Sequence, residues 1–262
     1  MDAKHQKPVS PFDACQQQDL FRSRRDLHVA VYNCKACGRV LGQSVWRVQP
    51  KWDPSRVKYK MHRWGMLVGQ APGATEYRHS KLSNKMAAAD DSPNALGIAF
   101  SGPAGKKLRS WLLQDNRFSE KELKEKFWKT SVTKCYPGKG NTEWHYELAE
   151  EEANRAKLYD RKPTQKEIKL CACFLLSEIN LVQPKVIVPI GRSAIKWFFP
   201  SVKNMDEVIA KRLDWVYDGR NYVLIPLPHP SGRNAWLNSK ESRAKKDEAL
   251  DLLARLWRSS KT

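Results

Sequence analysis

No stretch of the chain approaches eighteen consecutive apolar residues, so no transmembrane helix is expected. The opening segment, "MDAKHQKPVSPFDACQQQDL", has no apolar core, and we read no secretory signal there; a cytoplasmic protein is expected. No repeat period is visible, which argues against solenoids and propellers. Acidic residues are scarce: 28 Asp and Glu stand against 47 Lys and Arg, giving a net charge of +19. An excess of that size points to a polyanion, and nucleic acid is the expected partner. No basic helix carries an aromatic apolar face, so no membrane surface is expected as partner. Ten Trp and eight Tyr are plentiful by comparison. Some could stack on bases, though most are expected in the core.

Cysteine is sparse, with six residues. In a reducing compartment a disulfide framework is not expected. Cys34 and Cys37 form "CKAC", Cys135 stands alone, and Cys171 and Cys173 form "CAC". Four thiolates would suit zinc, and equally an iron–sulfur cluster. Thioredoxin-type redox chemistry is the usual rival for CxxC, but its Trp-Cys-Gly-Pro-Cys frame is missing. "GPAGKK" (102–107) looks like a phosphate loop, yet it lacks the Walker spacing and the hydroxyl residue after Lys. It reads as a helix start near a DNA backbone, with Lys106 on the phosphates.

Strand and helix signals alternate. Strands are expected at 64–69, 127–135, 185–191 and 221–231, and helices at 16–33, from Ala104, at 165–183, after Gly191, and at 240–258. Alternation with long crossovers predicts an α/β fold: three layers, α/β/α, around a central, mainly parallel four-stranded sheet. Ligands then sit at the carboxyl ends of the strands. Residues 1–262 read as a single domain, with an N-terminal segment (1–62) and two insertions, 77–97 and 138–163.

Five short motifs in order, "GQAPG" (69–73), "AFSGPAG" (99–105), "SVTKC" (131–135), "CACFLL" (171–176) and "HPS" (229–231), resemble the uracil-DNA glycosylase superfamily, nearest its iron–sulfur (family 4) branch. The likeness covers about residues 30–240. It implies a monofunctional glycosylase that flips a base out of DNA and hydrolyses its N-glycosidic bond. It also implies a structural [4Fe-4S] cluster on Cys34, Cys37, Cys135 and Cys171, with zinc as the alternative. A monomer acting on DNA is expected.

By the same resemblance, Gly69, Ala71, Phe100 and Ser131 would form the base pocket, with Phe100 stacking on the flipped base. His229 would donate a hydrogen bond to the leaving base. Ser231 and Arg233 would hold phosphate and fill the gap in the duplex. Three departures stand out. The family's first-motif Glu is Gln70, which cannot take a proton, and Ala71 stands where another branch has Asp. Glu76 is the nearest remaining acid, with Asp90 and Asp91 as further candidates. The family's base-reading Asn is Ser131, and the insertions flank two ligand loops. These departures suggest a pocket for a bulky modified pyrimidine, such as glucosylated cytosine of phage DNA in antiviral defence. Ordinary uracil excision in repair, or a catalytically weak base sensor, are the alternatives. A covalent-trapping relative carries Lys-Arg-Arg-Ile-His, a motif missing here.

Overall fold

Side chains of one buried strand divide between two cores. In Gly65–Gly69, Leu67 packs with Leu108, Leu112, Leu250 and Leu253, whereas Met66 and Val68 pack with Leu175, Ile179 and Trp197. A strand buried on both faces needs helices on both sides, and this makes the fold three-layered. The computed structural model describes residues 63–76, 99–139 and 160–261, together with positions 21, 23, 26, 27, 30, 31, 34, 36, 37, 46 and 47.

In chain order the strands are β1 (Trp46–Arg47), β2 (Gly65–Gly69), β3 (Phe127–Ser131), β4 (Cys135–Tyr136), β5 (Val186–Pro189), β6 (Leu213–Tyr217) and β7 (Arg220–Leu224). The α-helices are α1 (Pro103–Leu113), α2 (Glu120–Glu125), α3 (Gln165–Val182), α4 (Arg192–Phe198) and α5 (Lys240–Ser259). The main sheet runs β3-β2-β5-β7-β6. All pairs are parallel except β6 with β7. Helices α1 and α5 supply one core; α3 and α4 supply most of the other.

The sheet therefore has five strands, not the four expected. The fifth, β6, is an edge strand of mixed polarity whose residues alternate between half-buried and exposed. Its signal was the turn "DG": Asp218 and Gly219 both have positive φ, 51° and 70°, as a tight hairpin between right-twisted strands requires. The expected strand 127–135 also breaks. It stops at Ser131 and resumes as β4, which pairs antiparallel with β1 in a separate two-stranded sheet. The cause is Lys134, which turns inward. Its Nζ donates to the Ser131 carbonyl at 2.8 Å, to Thr130 Oγ1 at 2.6 Å and to the Glu178 carboxylate at 2.7 Å.

Capping boxes start two of the helices: Ser119 with Glu122 for α2 and Thr164 with Glu167 for α3. Insertion 77–97, with Asp90 and Asp91, lies outside the described residues. The second insertion is described at its two ends. There Lys139 bridges to Asp160, and the Arg161 N–H donates to the Gly138 carbonyl at 3.0 Å. Of the N-terminal segment, Leu27 and Val31 are buried against Cys171 and Phe174, and Phe21 stacks on Phe174 at 5.8 Å. Among the described residues no helix is long and apolar enough to cross a membrane.

Candidate active site

At the carboxyl ends of β2 and β3 and after β7, the sheet opens into a cleft of about 500 Å³. Its walls include Gly69, Gln70, Ala71, Glu76, Phe100, Ser131, His229, Ser231 and Arg233. Residues far apart in the chain and singled out by motif alone therefore meet in one place. Lys106 is the exception. It is exposed and outside the cleft wall, and the next residue, Lys107, takes that position. One residue along a helix is about 100° of rotation, enough to move a side chain off a wall.

Phe100 is held in a left-handed backbone conformation, φ 63°. A non-glycine residue rarely adopts it, and such strain is stored where surrounding structure enforces it. Two glycines permit it here. A Cβ at Gly105 would lie 1.8 Å from the Phe100 carbonyl oxygen, and one at Gly69 would lie 3.0 Å from the ring. The ring thus rests on the end of β2 and forms part of the cleft wall.

His229 is half-buried, and its Nδ1 accepts a hydrogen bond from the Ser231 N–H at 3.2 Å. An accepting Nδ1 carries no proton, so the neutral ring bears its hydrogen on Nε2. Burial first, then the positive charges of Lys162 and Arg233, push the imidazole below its ordinary value of 6.5. Asn234 Nδ2 donates to the His229 carbonyl at 2.8 Å, and the turn at Gly191, φ 81°, lies against the His229 side chain. The result is a fixed, neutral hydrogen-bond donor. Ser231 Oγ accepts from the Arg233 N–H at 3.2 Å, which closes the loop, while Arg233 itself is exposed.

The first loop answers part of the question raised by Gln70. Ser193 Oγ donates to Gln70 Oε1 at 2.8 Å, which leaves the amide NH₂ as the free face. Gln70 is then a donor and cannot activate water as a base. Glu76 is buried, and its carboxylate accepts from the Gly73 N–H at 3.1 Å and the Gly102 N–H at 2.9 Å. It clamps the first loop to the start of α1. Ser131 also departs from expectation. Its hydroxyl donates to the Thr133 carbonyl at 2.7 Å, so the proton is already used and only acceptor lone pairs remain.

Three charged residues line the cleft that no motif indicated: Lys129, Asp160 and Arg161; Lys134, inside "SVTKC", lines it as well. Arg161 forms a two-pronged, buried ion pair with Glu167, at 2.5 and 2.7 Å. Lys129 lies on β3, and burial, then nearby Arg109, push its ammonium down, with Glu120 opposing. The insertion's charged composition concealed Asp160 and Arg161, because nothing in "YDRKPT" shows that its backbone folds back onto Gly138 and Lys139.

A second, small cavity lies beside β4 and α3. Cys34, Cys37, Cys135 and Cys171 all line it, and all four are free thiols. Lys134 lines both cavities. Burial, ahead of the negative neighbours Glu167 and Cys34, raises the Cys37 thiol to about 11; burial raises Cys171 to about 12. Buried, hard-to-ionise thiols are inert unless a metal draws off their protons. Among the described residues no group of three such side chains stands close enough to hold a metal ion. Four thiols on one cavity are the donor set that either zinc or a four-iron cluster takes.

The family model for the uracil DNA glycosylase superfamily matches residues 62–254. The chain is similar to the type-4 uracil-DNA glycosylase of Sulfurisphaera tokodaii, 24% identical over 209 residues covering 77% of this chain and 71% of that protein. It is similar to the type-4 enzyme of Saccharolobus solfataricus, 21% identical over 205 residues, 77% of this chain and 72% of that one. A shorter likeness, 36% over 73 residues, reaches the type-4 uracil-DNA glycosylase of Thermotoga maritima, covering 28% of this chain and 36% of that protein. The family match spans more than half of the sequence. The chain belongs to the uracil DNA glycosylase superfamily and is a DNA glycosylase.

Proposed function

From that membership we propose a monofunctional enzyme that flips a modified pyrimidine out of DNA and hydrolyses its N-glycosidic bond, leaving an abasic site. The supporting observation is the meeting of Phe100, Ser131 and the Nε2–H tautomer of His229 around one cleft. Phe100 offers the face on which the base stacks. His229 donates to the base as it leaves with the bonding electrons. Such a preorganised donor is worth about 3–4 kcal/mol. Ser231 and Arg233 hold the phosphates around the flipped nucleotide.

The target we favour is bulkier than uracil, such as a glucosylated cytosine of phage DNA, which would make this an antiviral enzyme. Two observations support it. Ser131 gives up its proton to Thr133, so it cannot make the paired contact by which an Asn reads a uracil edge. The cleft of about 500 Å³ is of the size that holds drug-sized ligands. Uracil itself is the second reading, favoured by the likeness to type-4 uracil-DNA glycosylases.

Cys34, Cys37, Cys135 and Cys171 would hold a [4Fe-4S] cluster, zinc being the alternative. When bound it supplies no chemistry to the cleft. It ties the N-terminal segment to α3 and β4. We further propose a monomer in the cytoplasm, with 1–262 as a single domain.

The test is an abasic-site assay on uracil-containing DNA, ordinary DNA and phage DNA with hydroxymethylated or glucosylated cytosine. Abasic sites in the modified phage DNA alone support the bulky-base reading. Sites only at uracil replace it with repair. Tight binding without cleavage of any of them makes the protein a sensor and overturns the proposed activity.

A further inference from the structure

With Gln70 in place of the first-motif acid, the cleft needs a negative charge from somewhere else. Glu76 is poorly placed to supply it. The residue is 9% exposed, and its carboxylate accepts from two backbone N–H groups that join the first loop to α1. Asp160 is differently placed. It arrives from the far end of the second insertion, and its backbone is pinned there by the bridge to Lys139. Oδ2 accepts from the Ala74 N–H at 2.9 Å, and Oδ1 accepts from the Tyr136 hydroxyl at 2.8 Å. The residue remains exposed and forms part of the cleft wall.

The two carboxylates flank the same glycine. A Cβ at Gly73 would lie 2.9 Å from Glu76 Oε2 and 3.2 Å from Asp160 Oδ2. The oxygens are therefore no farther apart than the sum of those distances. One carboxylate is sealed behind the loop, and the other is fixed by two donors yet open to solvent. A carboxylate accepts about four hydrogen bonds, so Asp160 keeps capacity for a water molecule.

We propose that Asp160 is the catalytic carboxylate of this chain, facing the sugar and the attacking water in place of the missing first-motif acid. This rests on the glycosylase reading. The C1′–N bond breaks with its electron pair leaving on the base, which takes a hydrogen bond from His229 and then a proton from solvent. Asp160 offsets the positive charge left on the sugar. The oxygen of a water molecule bonds to C1′, and its surplus proton passes to Asp160 and on to solvent.

The test compares Asp160→Asn, which keeps size but removes the charge and turns one of the two accepting oxygens into an NH₂ donor, with Asp160→Glu, which keeps charge. Two readouts are needed. The first is single-turnover cleavage of whichever DNA the wild type cuts. Asp160→Asn should slow it about 10²-fold. The second is binding of DNA carrying a cationic pyrrolidine azasugar against DNA carrying neutral tetrahydrofuran at the same position. The wild type should prefer the cation, Asp160→Asn should lose about tenfold of that preference, and Asp160→Glu should keep most of it. A wild type that cuts no DNA fails the glycosylase reading, while the azasugar preference still decides whether Asp160 faces the sugar. An unchanged preference in Asp160→Asn overturns the assignment, as does undiminished cleavage.

Discussion

The Ser231 N–H points at Nδ1 of His229, 3.2 Å away, and so decides which ring nitrogen carries the proton. Protonating Nδ1 would set one N–H against another and break that bond. Burial and the charges of Lys162 and Arg233 already hold the imidazole below 6.5. The cleavage rate should therefore be flat through neutral pH and fall on the acid side, with a midpoint below 6.5. The associated stability has the same sign. The unfolded ring binds a proton near 6.5 and the folded ring only at lower pH, so stability is full above 6.5 and is lost as pH falls through the folded value. A rate profile with its acid limb at or above 6.5 would contradict this tautomer assignment.

Ser131→Asn tests the pocket. The longer side chain restores an amide that can donate and accept together, where the serine has already given its proton to Thr133. Preference for uracil over the native target should rise about tenfold or more, in line with about 1–3 kcal/mol for a paired contact. Competition cleavage with two labelled DNAs measures it, and an unchanged ratio would remove Ser131 from base selection.

Gly105→Ala should be severe for its size. The new methyl would lie 1.8 Å from the Phe100 carbonyl oxygen, which is backbone and cannot swing aside. Either α1 shifts or Phe100 leaves its left-handed conformation. We expect a loss of about 2–4 kcal/mol in thermal or denaturant unfolding, together with loss of cleavage. Phe100→Ala should impair base binding with a smaller stability cost, which separates the platform from its support.

Cys171→Ser and Cys37→Ser should abolish the brown colour and the absorbance near 400 nm that an iron–sulfur cluster gives, whereas Cys173→Ser should keep both. The mutants that lose colour should also unfold at lower temperature, since a cluster on these thiols would join the N-terminal segment to α3. A colourless wild type that contains stoichiometric zinc would replace the cluster with the alternative metal.

The sequence made the layers legible because β2 and β5 are nearly continuous apolar runs and α3 carries apolar residues at helical spacing, each between clear breaks. It hid β6, where half-buried Leu213, Trp215 and Tyr217 alternate with exposed Asp214 and Val216 as in an edge strand, although the "DG" turn pointed to it. The cleft was legible at its short motifs, in that Gly69, Phe100, Ser131 and His229 all line it. Lys106, read as a phosphate contact, lies exposed outside the cleft wall, and Lys107 lines it. Asp160 and Arg161 were not legible at all, because their presence in the cleft depends on a return of the chain to Lys139 that no local pattern encodes. The hydroxyl orientation of Ser131 and the clamping role of Glu76 likewise depend on backbone partners.

The most direct measurement of the central claim is release of free base in a single turnover, wild type against His229→Ala, with DNA affinity measured in parallel. The account predicts that the wild type releases a pyrimidine and leaves an abasic site. It predicts that His229→Ala is slower by about 10²-fold or more at nearly unchanged affinity. Equal rates in the two proteins would contradict it.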